Sequence, residues 1–248
     1  RINLTQSLKR KYGNNIEAVL EFGEEAAKKL AVLESRDEEL ARLNSELETL
    51  ETEILSNGKK LSAQRKKLIP KLTQAVTLHL NDLGFAQSQL DVALTTTAVA
   101  AEAKVTGLDT VEFQFAPNPG EPARPLRAIA SSGELARVML ALKTVLAAAD
   151  SIPVLIFDEV DANIGGETAH AVGERMRQIA DQRQVLCITH LAPVAAWAQT
   201  HYVVSKAVID GRTESNITPL DAHARVEELA RMLGGKSTAA RKHAEELL

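Results

Sequence analysis

Along the first seventy residues the apolar positions return every seven. Ala26, Leu33, Leu40, Leu47, Ile54, Leu61 and Leu68 are spaced by seven, and Leu43 and Leu50 fill positions three further on. This is the a/d seam of a coiled coil sustained over about six heptads. Lys29, Arg36, Asn57 and Gln64 interrupt the d positions; such interruptions lower stability but fix register, so the seam is expected to pair with one particular helix. At about 1.5 Å per residue, residues 15–69 are predicted to form a rod of roughly 80 Å, and its leucine stripe requires a cover. Pro70 is predicted to end or kink this helix. A shorter helix, "KLTQAVTLHLNDLG", is expected to close on Gly84.

Beyond Gly84 the period changes. "LDVALTT" and "VEFQF" alternate as strands do, and "APNPGEPARP", residues 116–125, is a turn-rich loop. In "SSGELARVMLALKTVLAAAD" the residues Leu135, Val138, Met139, Leu142 and Leu146 mark one face of a helix. An apolar strand "VLIF", a helix around 167–180, the strand "QVLCIT" and a short helix from Leu191 follow. Strands near 201–206 and 213–219 lead to closing helices around 222–233 and 236–247. Helices alternating with apolar strands between 131 and 190 imply a mostly parallel α/β sheet with helices on its faces. The expected organisation is a coiled-coil arm, 1–70, and an α/β lobe, 71–248.

Composition narrows this further. Aromatic residues make up 3% of the 248 residues and hydrophobic residues 45%, so the core must be built from Leu, Val, Ile and Ala. The net charge is −4, with 13 basic against 12 acidic residues in 1–70 and 16 against 21 in the remainder. That balance excludes a chain that is one broad basic surface for nucleic acid. The clusters Lys9-Arg10-Lys11 and Arg65-Lys66-Lys67 read as solvated helix faces before they read as a DNA site. The single cysteine, Cys187, excludes an internal disulfide framework and a CxxC knuckle, and is expected to be a small core residue. No stretch approaches the roughly 20 apolar residues that span a bilayer, and the N-terminal residues have no signal-peptide core. A cytoplasmic protein without membrane contact is the expectation. The chain lacks an initiator Met, which suggests a piece of a longer protein.

The candidate chemistry lies at two strand ends. In "IPVLIFDEVDANIGG" the most hydrophobic stretch ends on Asp158 and Glu159, and "QVLCITH" ends on His190. A surface turn after a buried strand would account for the carboxylates. So would a magnesium-nucleotide site, because open α/β sheets bind ligands beyond the carboxyl ends of their strands. There the first acid can hold magnesium through water and the second can orient and deprotonate the attacking water, with His190 at the terminal phosphate. In "IASSGEL", Ser131, Ser132 and Gly133 stand before a helix N-terminus. They serve either as ordinary N-caps or as an anion site built on free backbone N–H groups.

The order of these pieces carries more than any one of them. A small-residue SxGE turn opens a helix. About twenty residues later comes a strand ending in Asp-Glu, then Asp161, and about thirty residues on a strand ending in His. This order resembles the C-terminal half of an ABC-type (P-loop NTPase) ATPase head: "ASSGEL" its signature motif, "VLIFDE" its Walker B strand, "DEVDANIGG" its D-loop and "ITH" its switch histidine. The heptad arm leading into the lobe narrows the resemblance to the SMC-like branch. "NPGEPARPLRAIASSGELARVMLALKTVL", "FDEVDANIGG" and "VLCITHLAPVAAWA" resemble the RecN family of bacterial DNA-repair ATPases.

The resemblance implies ATP and Mg2+ as cofactors, held between two heads of a homodimer that acts on DNA in double-strand-break repair and recombination. It implies that Asp158 holds magnesium through water and that Glu159 is the general base, with His190 against the γ-phosphate. Ser131 and Gly133, with Ser132 and Glu134 in the same stretch, would contact the nucleotide of a facing head, and Asp161 would link the two composite sites. The family pattern is Ser-Gly-Gly-Glu, and this chain has Ser132 in place of the first glycine.

No P-loop GxxxxGK[ST] is present. "GGKST" at 234–238 lacks the first glycine and follows a helical stretch, so it reads as a helix–helix turn. The resemblance therefore implies the returning arm and C-terminal lobe of a split head, inactive alone, with the N-terminal lobe and outgoing arm of the same protein as partners. The competing expectation is a structural coiled-coil adaptor with an inactive ATPase-like lobe. Retention of Asp158, Glu159 and His190 counts against it. A transporter-type nucleotide-binding domain is disfavoured by the heptad arm.

Overall fold

The computed structural model describes residues 2–209, 212–235 and 237–248. A short helix α1 (Ile2–Tyr12) precedes the long α2 (Ile16–Asp82). The break falls at Gly13-Asn14-Asn15, and the side chain of Asn15 accepts the Ala18 N–H at 2.7 Å to cap the first turn of α2. The helix expected over residues 15–69 is therefore present from Ile16 onward.

Of the two outcomes expected at Pro70, an end or a kink, the first does not occur: α2 runs through it. Proline removes one backbone donor. Here the position is exposed, so the carbonyl left without its partner can bond to water, and the apolar turns that follow are held by packing: Val76 and Leu80 are fully buried. The helix closes as predicted. Gly84 takes φ 90° and the Phe85 N–H bonds to the Leu80 carbonyl at 3.0 Å, the 6→1 bond of a Schellman motif.

The remaining elements are β1 (Gln89–Thr96), β2 (Asp109–Ala116), β3 (Arg124–Pro125), α3 (Ser132–Val145), β4 (Val154–Phe157), α4 (Gly166–Ala180), β5 (Gln184–Cys187), α5 (Ala192–Ala195), β6 (Tyr202–Ile209), β7 (Arg212–Pro219), α6 (Ala222–Met232) and α7 (Thr238–Leu247). The chain forms two compact units. In the first, Arg1–Ala63 with Thr96–Asp109, the buried Asp109 carboxylate accepts Ser62 Oγ at 2.6 Å and Thr96 Oγ1 at 2.8 Å. Leu108 lies so close to Gly58 that a Cβ there would meet its Cγ at 2.4 Å.

The second unit, Gln64–Thr95 with Thr110–Leu248, contains the main core. Val76, Leu80, Phe85, Phe115, Val138, Leu140, Leu155, Phe157, Val172 and Ile179 pack together in it. Its parallel strands are β4 and β5, in register from Val154↔Gln184 to Phe157↔Cys187; β2 pairs β3, and β6 pairs β7, antiparallel. The alternation of β4 and β5 sends Leu155, Phe157, Val185 and Cys187 into the core below α3 and α4. The opposite face, Val154, Ile156, Leu186 and Ile188, stays exposed, with Ile156 at 68%. Helices cover one face of this pair, where two were expected.

The buried side of α3 is also wider than its periodicity implied. Gly133, Arg137, Leu140 and Ala141 are buried with Val138 and Leu142, while Leu146 is exposed. The turn between α6 and α7 is the helix–helix connection predicted for "GGKST": Gly234 and Gly235 take φ 112° and 138°, and Ser237 caps α7. Lys236 lies outside the described residues.

Candidate nucleotide-binding half-site

The parallel register of β4 and β5 sets the site. Because Phe157 stands opposite Cys187 and the Ile188 N–H bonds to the Phe157 carbonyl at 3.0 Å, the residues following both strands leave the sheet at the same edge. Asp158 and Glu159 follow β4, and Thr189 and His190 follow β5. Glu159 takes φ 55° and Asn163 φ 60°, left-handed conformations uncommon for residues with side chains. The Ala162 N–H closes the turn on the Glu159 carbonyl at 3.0 Å.

Asp161 is buried, 2% exposed, and does not face solvent beside Asp158 and Glu159. Its Oδ2 accepts Thr189 Oγ1 at 2.5 Å and the His190 backbone N–H at 2.9 Å, and lies 3.1 Å from His190 Nδ1. A carboxylate placed between two strand ends thus ties the turn after β4 to the segment after β5. The His190 imidazole remains 72% exposed while held through Nδ1. Cys187, immediately before this segment, is packed against the core as expected. Burial pushes its thiol up to about 12, with the Asp161 and Asp158 charges adding to the shift.

The N-terminus of α3 abuts the same turn. Ser131 caps α3, its Oγ accepting the Glu134 N–H at 3.4 Å. Gly133 lies against the turn, where a Cβ would stand 2.9 Å from Ala162 Cβ and 3.0 Å from the Glu159 carbonyl oxygen. One turn further, Arg137 Nη1 donates to the carbonyls of Ala162 at 3.0 Å and Val160 at 3.4 Å. Its guanidinium carbon lies 5.1 Å from the centre of the Phe85 ring. Burial pulls the Arg137 guanidinium below its ordinary value, and the Glu134 charge partly offsets this. The Ser132 hydroxyl donates to the Glu159 carboxylate.

All the residues singled out in the sequence, Ser131 to Glu134, Asp158, Glu159, Asp161 and His190, therefore belong to one region built from the start of α3 and the ends of β4 and β5. Two residues that hold it together were not singled out. Arg137 was visible as a charge on the apolar side of α3. Thr189 was visible only as a hydroxyl between an apolar strand and His190.

The chain has relatives among known proteins. DNA repair protein RecN of Deinococcus radiodurans is 44% identical over 249 residues, an alignment covering 100% of this chain and 43% of that protein. RecN of Treponema pallidum is 40% identical over 253 residues, covering 100% of this chain and 44% of the relative. The chain belongs to the RecN family. It spans less than half the length of these relatives. No family model matches it. Among solved structures, the Smc head domain with a coiled coil and joint from Pyrococcus yayanosii superposes with a TM-score of 0.55. That alignment covers 94% of this chain and 39% of the other at 18% identity, a likeness of fold alone. The fold of this RecN-family chain is accordingly like that of an Smc head domain with its coiled coil: a long helix and an α/β lobe that contains a parallel strand pair.

Among the described residues no three His, Cys, Asp or Glu side chains converge as a metal cage. The residues nonetheless fit magnesium, which takes one or two carboxylates together with water and substrate phosphates and needs no all-protein cage. No helix among the described residues is long and apolar enough to cross a membrane.

Proposed function

We propose that this chain is the returning arm, 1–70, and C-terminal lobe, 71–248, of an ATP-hydrolysing head that acts on DNA in double-strand-break repair and recombination. The observation that carries this is the convergence of Asp158-Glu159, His190 and the Ser131-capped start of α3 at one edge of a parallel strand pair. The N-terminal lobe and outgoing arm of the same protein are its partners. Two surfaces favour that partnership: the uncovered apolar face of β4 and β5, and the exposed leucines along α2. ATP is then sandwiched between two heads of a homodimer, in the bacterial cytoplasm at the nucleoid.

Within one head, Asp158 would hold magnesium. Magnesium, when bound, neutralises charge on the phosphates. Glu159 accepts the proton of the attacking water as the water oxygen bonds to the γ-phosphorus and the bond to the leaving diphosphate breaks. His190, steadied at Nδ1 by Asp161, presents its other ring nitrogen to the γ-phosphate. Ser131, Ser132, Gly133 and Glu134 serve the nucleotide of the facing head, where the first turn of α3 offers N–H groups without intrahelical partners. Asp161 links the two composite sites through its hold on the segment after β5.

The test is Glu159→Gln in the full-length protein. It keeps shape and removes the base, so ATP binds and heads close while hydrolysis falls by about a hundred-fold to ten-thousand-fold. The chain alone, without a P-loop, releases no phosphate above background. Normal hydrolysis by the Glu159→Gln protein would overturn the assignment.

A further inference from the structure

Ser132 touches two things at once. It lies in the α3 turn proposed to meet a facing head's nucleotide, yet its hydroxyl donates to Glu159, the proposed base for its own head's nucleotide. The contact is built in by packing. Gly133 seats the helix against the Glu159 carbonyl, and Arg137 clasps the carbonyls of Val160 and Ala162. Helix start and acidic turn therefore form one body, and only side-chain rotation of Ser132 or Glu159 can part the pair. Glu159 is also held at φ 55°, a conformation that persists where surrounding contacts over-determine it. Glycine at position 132 would supply no such donor. Ser132 itself is exposed, so an incoming anion can reach its hydroxyl.

We propose that Ser132 is a latch between the two half-sites. While a head stands alone, the hydroxyl occupies the Glu159 carboxylate. When a second head presents its nucleotide to the start of α3, a phosphate oxygen becomes the better-placed acceptor. The Ser132 hydroxyl turns to it, and Glu159 is freed to take a proton from water. Only a hydrogen bond is exchanged; no proton moves in the latch step. The consequence is that hydrolysis in one site waits on occupancy of the other. Ser132 acts on the reaction through Glu159 and is a positioning residue. This rests on the reading of Glu159 as the base.

The experiment compares Ser132→Ala, Ser132→Gly and Ser132→Thr. The first readout is backbone hydrogen exchange at residues 159–162 in the full-length protein without nucleotide. Loss of one bond to a charged acceptor should speed exchange several-fold, up to about tenfold, in the Ala and Gly variants and leave Thr near the parent. The second readout is phosphate release per head at concentrations where energy transfer between labelled heads shows them apart. This closure-independent release should rise several-fold in Ala and Gly and return to the parent level in Thr. Unchanged exchange in Ala and Gly, or closure-independent release that stays the same or falls, overturns the latch. Normal hydrolysis by Glu159→Gln would instead overturn the assignment of the base, and leaves the exchange result standing as evidence on the contact itself.

Discussion

Replacing Asp161 by alanine tests whether the turn after β4 is held to the end of β5 by this one buried carboxylate. Asp161 accepts from Thr189 Oγ1 at 2.5 Å and the His190 N–H at 2.9 Å, with His190 Nδ1 at 3.1 Å. The exposed imidazole can turn to water, so its loss costs little. The other two donors are half-buried and face a carboxylate, and bonds of that kind contribute roughly 1.5–3 kcal/mol each. Thr189 has a second, weak acceptor in the Leu191 carbonyl at 3.5 Å, which recovers part of its share. The expected destabilisation of Asp161→Ala is therefore about 3–4 kcal/mol. Asp161→Asn keeps an accepting oxygen but loses the charge, and should cost about half as much. The single tryptophan, Trp197, stacks edge-on with His170 in the same unit and supplies the fluorescence signal for urea unfolding. With a slope of about 2 kcal/mol per molar urea, Asp161→Ala should lower the midpoint by about 1.5–2 M. Thr189→Val should be strongly non-additive with Asp161→Ala, with a coupling of about 1 kcal/mol or more. A midpoint change below about 0.5 M on this scale, or simple additivity of the two substitutions, would show that the carboxylate does not fasten the two segments.

Two further outcomes follow from the same structure. The chain should self-associate as its concentration rises, because Leu33, Leu40, Leu47 and Leu68 are each more than half exposed along α2; Leu40→Lys with Leu47→Lys should abolish this in sedimentation velocity, and a parent chain that stays monomeric at high concentration would contradict the seam. Stability should fall on acidification through the histidine range. Burial holds His79 below its ordinary 6.5, with the Arg175 charge adding and Asp82 opposing; burial does the same to His201, with Arg225 adding and Glu228 opposing. The unfolded chain then binds protons below about 6.5 that the folded chain refuses, so stability is fully present above that value and is lost as pH falls towards the lowered folded values. The Trp197 urea midpoint should be lower at about pH 5.5 than at pH 7.5, and the difference should shrink in His79→Gln and His201→Gln; a midpoint that rises on acidification would refute the sign.

The sequence by itself determined the elements and their order. Heptad spacing, strand alternation and the glycine at 84 are local patterns, and a helix or strand answers to its own neighbours at three, four or two residues' distance. The order of strands and motifs sufficed to bring Asp158, Glu159 and His190 to the edge of one sheet, because a parallel strand pair exposes its carboxyl ends together. The helix does not stop at Pro70, one of the two outcomes expected there, because the local cost of proline is outweighed by the buried turns that follow it, Val76 and Leu80 among them. What only the tertiary structure decided lies in pairs far apart along the chain. Asp161 with Thr189 and Arg137 with Ala162 stand 28 and 25 residues apart, and Ser132 with Glu159 stand 27 apart. No periodicity encodes such distances. They arise when β4 and β5 fall into register and α3 packs its glycine onto the turn, so that Asp161, which looked like one more acid in a polar loop, becomes a buried fastening between two strand ends. The exposed face of β4 and β5 has the same origin. Alternation says which residues share a face, but only the packing of α3 and α4 on the other side leaves Ile156 and Ile188 in water.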